Sequence, residues 1–212
     1  MPRTIAIFLH QPKASVQSAN GIFRALGDQY HFKIFTEHTI EDDFFDDVDI
    51  ICFPGGIGDA DSFDRLMRNH RSRIRDFVRN GGCYLGICMG AYWADRHYFD
   101  ILEGARVRQY ITSPDACTRR PHPKHISVLW KDQPDQMYFY DGCVIEGDDL
   151  DIVARYANGR PMAAIQGSIG LIGCHPEAES SWYQYHSWMR KIPFGSRHDR
   201  LSEFVNILFS NK

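Results

Sequence analysis

Apolar residues along the chain fall into short unbroken runs, separated by segments in which they recur every three or four positions. Thr4–Leu9 is the first run, and Gln11-Pro12 divides it from a helical pattern over about Ala14 to Leu26. Phe32–Phe35 and Val48–Phe53 are further runs, the second ending in Pro54-Gly55-Gly56. Asp61 and Ser62 are suited to cap a helix in which Phe63, Leu66, Met67, His70, Ile74, Phe77 and Val78 keep helical spacing until Gly81-Gly82 stops it. Cys83–Ile87 is a fourth run. Continuous apolar strands alternating with amphipathic helices predict a parallel sheet covered on both faces.

Past residue 130 the pattern changes to closely spaced strands. Met137–Tyr140 and Cys143–Glu146 flank Asp141-Gly142, which predicts a two-residue hairpin. Ile152–Tyr156 and Pro161–Gln166 flank Ala157–Arg160, with Asn158-Gly159 at its centre, which predicts a second. Ile169–Cys174 then leads to His175, and residues 180–190 and 199–209 have the spacing of closing helices. Arg106–Pro123 carries no clear period. The expected sheet is therefore mixed, parallel at first and extended by antiparallel strands.

Composition narrows the class. A chain of 212 residues with 43% hydrophobic content suits one large α/β domain, taken here as 1–212. A net charge of −3 gives no overall attraction to nucleic acid or anionic membrane. Arg65, Arg68, Arg71, Arg73, Arg75 and Arg79 accordingly read as the solvated face of a helix. No apolar run approaches the ~20 residues of a membrane span. Met1-Pro2-Arg3-Thr4 lacks the layout of a signal peptide, and the six cysteines include no C-x-x-C pair, as expected of reduced thiols in a cytoplasmic protein.

One cysteine stands apart. Residues 83–87 deliver Cys88 between Gly86 and Gly90, and a helix-compatible stretch follows. Strand, sharp turn and helix with small residues at −2 and +2 is the layout of a nucleophile elbow, which exposes the sulfur at a helix start where thiolate is favoured. Cys52, Cys83, Cys143 and Cys174 lie in apolar runs and read as buried hydrophobes, and Cys117 reads as incidental. His175-Pro176-Glu177 supplies a base and a carboxylate two positions apart, which an extended backbone directs to one side. Nucleophile, proton shuttle and orienting carboxylate are then Cys88, His175 and Glu177. The Pro54-Gly55-Gly56 turn ends an earlier strand, so an oxyanion hole is expected from the N–H groups of Gly56 and Met89. His122 and His125 read as part of a basic loop, and no metal site or nucleotide cofactor is expected. The aromatic segment Trp182–Trp188 is read as core, a homodimer contact or a pocket wall.

The Pro-Gly-Gly turn, the Gly86-Ile87-Cys88-Met89-Gly90 elbow and the late His175-Pro176-Glu177 resemble the class I glutamine amidotransferase superfamily. The run Gly82–Tyr92, with the segments from Ala154 through Leu171 to Glu177, is similar to the family related to the N-terminal domain of biotin–protein ligases. The resemblance implies a flavodoxin-like three-layer αβα sandwich with a mostly parallel central sheet, antiparallel C-terminal extensions and Cys88, His175 and Glu177 as its triad. It implies cysteine chemistry at an amide or related carbonyl, glutamine among the candidates, with ammonia passed to a separate synthetase. No ligase domain is expected, since one domain occupies the whole length. Glutamine-using members typically continue the elbow as Gly-His-Gln, whereas Ala91 and Tyr92 stand in those places here. Gly55 and Tyr92 are the expected substrate-binding positions. The rival readings are a catalytically idle binding or regulatory module, and a cysteine-elbow redox or aldehyde-handling protein.

Overall fold

Four of the apolar runs form strands β1 (Arg3–Phe8), β2 (Tyr30–Phe35), β3 (Ile50–Phe53) and β4 (Cys83–Ile87), with helix α1 (Lys13–Leu26) joining β1 to β2. The computed structural model describes residues 2–10, 13–41, 43–56, 59–190 and 195–211, so the predicted break at Gln11-Pro12 lies outside the described residues. Helices α2 (Ala60–Leu66) and α3 (Arg71–Arg79) cross from β3 to β4, and α4 (Met89–Trp93) follows the elbow. The remaining strands are β5 (Ala105–Gln109), β6 (Lys124–Trp130), β7 (Gln133–Phe139), β8 (Cys143–Gly147), β9 (Asp151–Tyr156), β10 (Pro161–Gln166) and β11 (Ile169–Ile172). Helices α5 (Ser180–Gln184) and α6 (His198–Ser210) close the chain.

Nine strands make one sheet in the order β2-β1-β3-β4-β11-β10-β9-β6-β7, and β5 pairs with β8 separately. The five strands from β2 to β11 run parallel, and the other four are added antiparallel. Alternate residues serve opposite faces of this sheet. Ile5, Ile7, Cys52, Leu85 and Ile87 join Leu201 and Phe204 of α6 on one side. Ala6, Phe8, Phe53 and Tyr84 join Phe63, Ile74 and Trp93 of α2, α3 and α4 on the other. The result is the three-layer αβα sandwich of the flavodoxin type.

Helix α4 has five residues, well below the ~12–15 at which an isolated helix becomes stable in water. Tertiary packing supplies what its length does not. Trp93 is fully buried against Phe8, Phe53, Phe63 and Phe99, with ring centroids 5.4–6.2 Å apart. Each such pair adds roughly 0.5–1.5 kcal/mol beyond area burial. The turn that carries Cys88 is thus clamped from its C-terminal side.

Four expectations need correction. The helix over 63–78 is two helices, separated by a 3-10 turn at Arg68–His70. There the His70 ring reaches the Glu37 carbonyl at 2.9 Å, a tertiary bond that outweighs continuous helix. The cap is Asp59, which accepts from the Ser62 N–H at 2.7 Å, rather than Asp61 or Ser62. Several of the arginines expected to be solvated reach back to the chain instead, Arg73 to the Ile40 carbonyl and Arg75 to the Phe99 carbonyl and Asp100. Asp141-Gly142 is a corner between sheets and not a hairpin. Its carbonyls accept from the Tyr92 hydroxyl (3.1 and 3.2 Å) and the Tyr110 N–H, so β7 pairs with β6 and β8 with β5. The actual hairpin turns at Lys131-Asp132, with φ of +46° and +62°, the two positive angles of a type I′ turn. The β9–β10 hairpin forms as read.

Candidate active site

The carboxyl ends of β3, β4 and β11 converge on one rim of the sheet, where sites in open α/β folds gather. β4 delivers Cys88, the turn after β3 delivers Gly55 and Gly56, and the chain after β11 delivers His175 and Glu177. Cys88 takes φ +50° and ψ −101°, a conformation that costs about 1–3 kcal/mol and persists only where the surroundings enforce it. Its N–H donates to the Ile172 carbonyl at 2.8 Å, tying the elbow to the strand that ends three residues before His175. Both flanking glycines are sterically required. A side chain at Gly86 would lie 2.6 Å from the Gly90 backbone, and one at Gly90 would lie 1.9 Å from the Phe53 carbonyl oxygen.

His175 Nδ1 is 2.9 Å from Glu177 Oε1, and the two residues are 6% and 0% exposed. The backbone holds the imidazole in place through a bridge in which the His175 N–H donates to the Tyr138 carbonyl at 2.9 Å. Tyr138 and Trp182 pack edge-on against the ring. Burial on its own would push the His175 pKa down. The negative charges of Cys88 and Glu177, with hydrogen bonds to both, outweigh it and push the pKa up to about 10. His175 thus holds its proton more tightly than a free imidazole, against the Glu177 carboxylate at 2.9 Å. The sulfur also lies 3.5 Å from the Tyr140 carbonyl, to which a thiol would donate. An S–H···O bond of this kind is weak and gives way readily to a stronger partner.

Glu177 Oε1 also accepts from the Ser18 hydroxyl at 2.6 Å, and the Ser18 oxygen accepts from the Gly55 N–H at 3.1 Å. Ser18 thus ties the carboxylate to the Pro-Gly-Gly turn, and with the Gly55 N–H so engaged, Gly56 is the turn's next donor. Sequence reasoning missed Ser18. Its signal was a serine inside the buried stripe of α1 that also holds Ala19, Ile22 and Leu26.

A cavity of about 740 Å³ opens beside the sulfur. Its lining includes Gly55, Gly56, Cys88, Met89, Tyr92 and His175, so every expected position except the fully buried Glu177 faces it. Tyr92 contributes its ring as wall, since its hydroxyl is committed to the Asp141 and Gly142 carbonyls and burial pushes its pKa up. Tyr98, Gln109, Tyr138, Tyr140, Asp141 and Trp182 also line the cavity and were not anticipated individually, apart from the aromatic segment containing Trp182. That segment is helical only to Gln184, and Trp188 is tied by its indole N–H to the Pro123 carbonyl at 3.0 Å.

Cys88 is itself buried at 7% exposure, against the expected exposure of the sulfur, and differs from the other cysteines in lining the cavity. Cys52, Cys143 and Cys174 are fully buried, which pushes each thiol pKa up, and Cys83 is buried as well, whereas Cys117 is exposed. His125 packs on Tyr183, and His122 lies near Trp188. Among the described residues no group of three or more His, Cys, Asp or Glu side chains is placed to hold a metal ion. None of the described helices is long and apolar enough to cross a membrane.

Residues 11–104 match the model of the family described as biotin-protein ligase, N terminal. The imidazole glycerol phosphate synthase subunit HisH of Helicobacter hepaticus is 26% identical over 176 residues, covering 70% of this chain and 81% of that protein. A solved glutamine amidotransferase from Thermotoga maritima superposes with a TM-score of 0.64 at 12% identity, covering 100% of this chain and 96% of that one. Another, from Methylobacillus flagellatus, gives 0.62 at 12% identity, covering 99% and 93%. At these identities the structural likeness shows the fold. The fold and these matches make the chain similar to the class I glutamine amidotransferase-like superfamily. Within it the chain is similar to the biotin–protein ligase N-terminal family, whose model spans the Pro-Gly-Gly turn and the elbow and ends before His175.

Proposed function

We propose that the protein is an amidotransferase-type enzyme, in which Cys88 attacks an amide or related carbonyl with His175 and Glu177 as its partners. The observation that carries this reading is the imidazole bound to a buried carboxylate at 2.9 Å and lining one cavity with the strained cysteine. The Cys88 sulfur adds to the carbonyl carbon, and the carbonyl oxygen becomes an oxyanion that accepts from the Gly56 and Met89 N–H groups. One such donor is worth roughly 2.7–4 kcal/mol. His175 gives its Nε2 proton to the leaving nitrogen, the C–N bond breaks and a thioester remains. Water then adds to the thioester, His175 takes its proton, and the thiolate departs with release of the acid. Glu177 holds Nδ1–H throughout and so fixes the tautomer. The leaving group is ammonia when the amide is primary. HisH is by name a synthase subunit, which supports supplying a separate synthetase as the acceptor partner.

The test is intact-mass detection of an acyl adduct on Cys88 during turnover of a primary amide, beginning with glutamine, alone and with a synthetase partner, alongside ammonia release. An adduct together with ammonia supports the reading. Neither, with Cys88 no more reactive to iodoacetamide than the other thiols, would leave a binding module. Sulfenic acid on Cys88 without any adduct would point to redox handling.

The pH profile tests Glu177 separately. Leaving-group protonation needs the imidazolium, so kcat/KM should fall above a limb near the His175 value of about 10. Glu177→Gln removes one of the charges that raise this value while burial continues to lower it, so the limb should move to lower pH. Turnover should drop by about 10²–10⁴-fold. A limb that stays in place would contradict the role given to Glu177.

A further inference from the structure

We infer that the amide substrate of this site carries a positively charged amine or guanidinium on an apolar body, and that Asp141 receives the charge. The inference rests on the function proposed above and adds its substrate class. Among the described residues lining the cavity there is no lysine or arginine, whereas two acidic residues, Asp59 and Asp141, are among them. The His175 imidazole is already held by the Glu177 carboxylate at 2.9 Å. His186, at the mouth, stacks on Trp188 with ring centroids 4.6 Å apart.

The two carboxylates are not equivalent. Asp59 caps α2 and stands in the field of Arg65. Asp141 is half-buried, and both its oxygens accept from one neutral donor, the Gln109 Nε2, at 2.8 and 2.9 Å. Among the described residues it forms no ion pair. Desolvation without a cation pushes its pKa up, and a cationic ligand would relieve that cost. The carboxylate is firmly placed, because the backbone at Asp141 is pinned by the Tyr92 hydroxyl. It is also close to the chemistry. The Tyr140 carbonyl lies 3.5 Å from the Cys88 sulfur, and Asp141 is the next residue.

The other walls fit the same ligand. Tyr98, Tyr138, Tyr140, Trp182 and Tyr185 surround the opening, and Tyr140 and Tyr185 are 48% and 78% exposed. Aromatic faces hold cations and apolar bodies equally well. A substrate entering with a carboxylate would instead meet like charge and no lysine or arginine among the described lining residues.

Three probes that share one primary amide and one benzyl group separate the charge from the rest: phenylalaninamide (cationic), N-acetylphenylalaninamide (neutral) and N-succinylphenylalaninamide (anionic). Affinities are measured by calorimetry and ammonia release by kcat/KM, on the whole chain and on Asp141→Asn. The expected order is cation, neutral, anion, with the cation bound about 10- to 100-fold tighter than the neutral probe, the discrimination expected of one charge-assisted contact. Asp141→Asn should erase that preference, read as the ratio of cationic to neutral affinity within the variant. Equal affinities in the wild-type chain overturn the inference without any variant, as do a preference that survives Asp141→Asn and a cation that does not bind. A charge preference without ammonia release would support the inference and sink the nucleophilic role of Cys88. Ammonia release without charge preference would do the reverse.

Discussion

Cys88→Ala is expected to lower kcat/KM for amide cleavage by about 10⁴–10⁶-fold, and His175→Ala by a similar factor. The two act as one unit, because the sulfur is a competent nucleophile only beside the imidazolium and the leaving nitrogen departs only with its proton. The double variant should therefore be scarcely slower than either single one. The residual rate would come from the oxyanion donors and from holding the substrate, neither of which needs the sulfur. Cys88→Ala should also fold normally, since it removes one atom from a residue that is 7% exposed and alanine tolerates the same backbone angles about as well as cysteine. Loss of activity with an unchanged melting curve is the decisive pairing. A variant keeping more than a hundredth of the wild-type rate would mean that another group attacks.

The second large effect is structural. Gly90→Ala should cost about 3–5 kcal/mol, a large part of the ~5–15 kcal/mol by which a domain of this size is folded. The new methyl carbon would sit 1.9 Å from the Phe53 carbonyl oxygen and 2.6 Å from the Phe53 Cβ. The first of these is backbone in β3, which is paired on both sides, to β1 and β4, and has no room to retreat. Ordinary overpacking costs roughly 1–3 kcal/mol because side chains can rotate away. Here β4 and α4 would have to separate from β3, which would also displace Cys88. Denaturant melts of the variant check the magnitude. A wild-type midpoint would show that the elbow is not packed against β3 as described.

Much of the site was legible in the chain. The run Cys83–Ile87 is the same five residues as β4, and the glycines at 86 and 90 stand where the steric argument requires them. His175 and Glu177 are two positions apart and meet at 2.9 Å, a geometry that a short extended segment with a proline produces locally. The cavity was less legible. Tyr138 reaches His175 because the antiparallel half of the sheet folds back until β7, at its far edge, meets the end of β11. Asp141 looked like the middle of a hairpin, since its dipeptide suits a tight turn, and the local rule carries no information about Tyr92 and Tyr110 claiming its carbonyls. The helix over 63–78 failed in the same way, on one bond between His70 and Glu37.

The amino-acid sequence by itself determined the alternation of strands and helices and the steric necessity of the elbow, and it pointed to Cys88, His175 and Glu177 as the groups of the proposed chemistry. Each of these follows from interactions among residues a few positions apart: apolar period, turn geometry and excluded volume. The tertiary structure alone decided the burial that surrounds His175, the use of Ser18 and the aromatic, acidic lining of the cavity. Ser18 and Glu177 are 159 positions apart, and their 2.6 Å bond exists because α1 packs against the carboxyl rim where β11 ends. A contact of that separation depends on how whole layers seat against each other, and no local pattern encodes it.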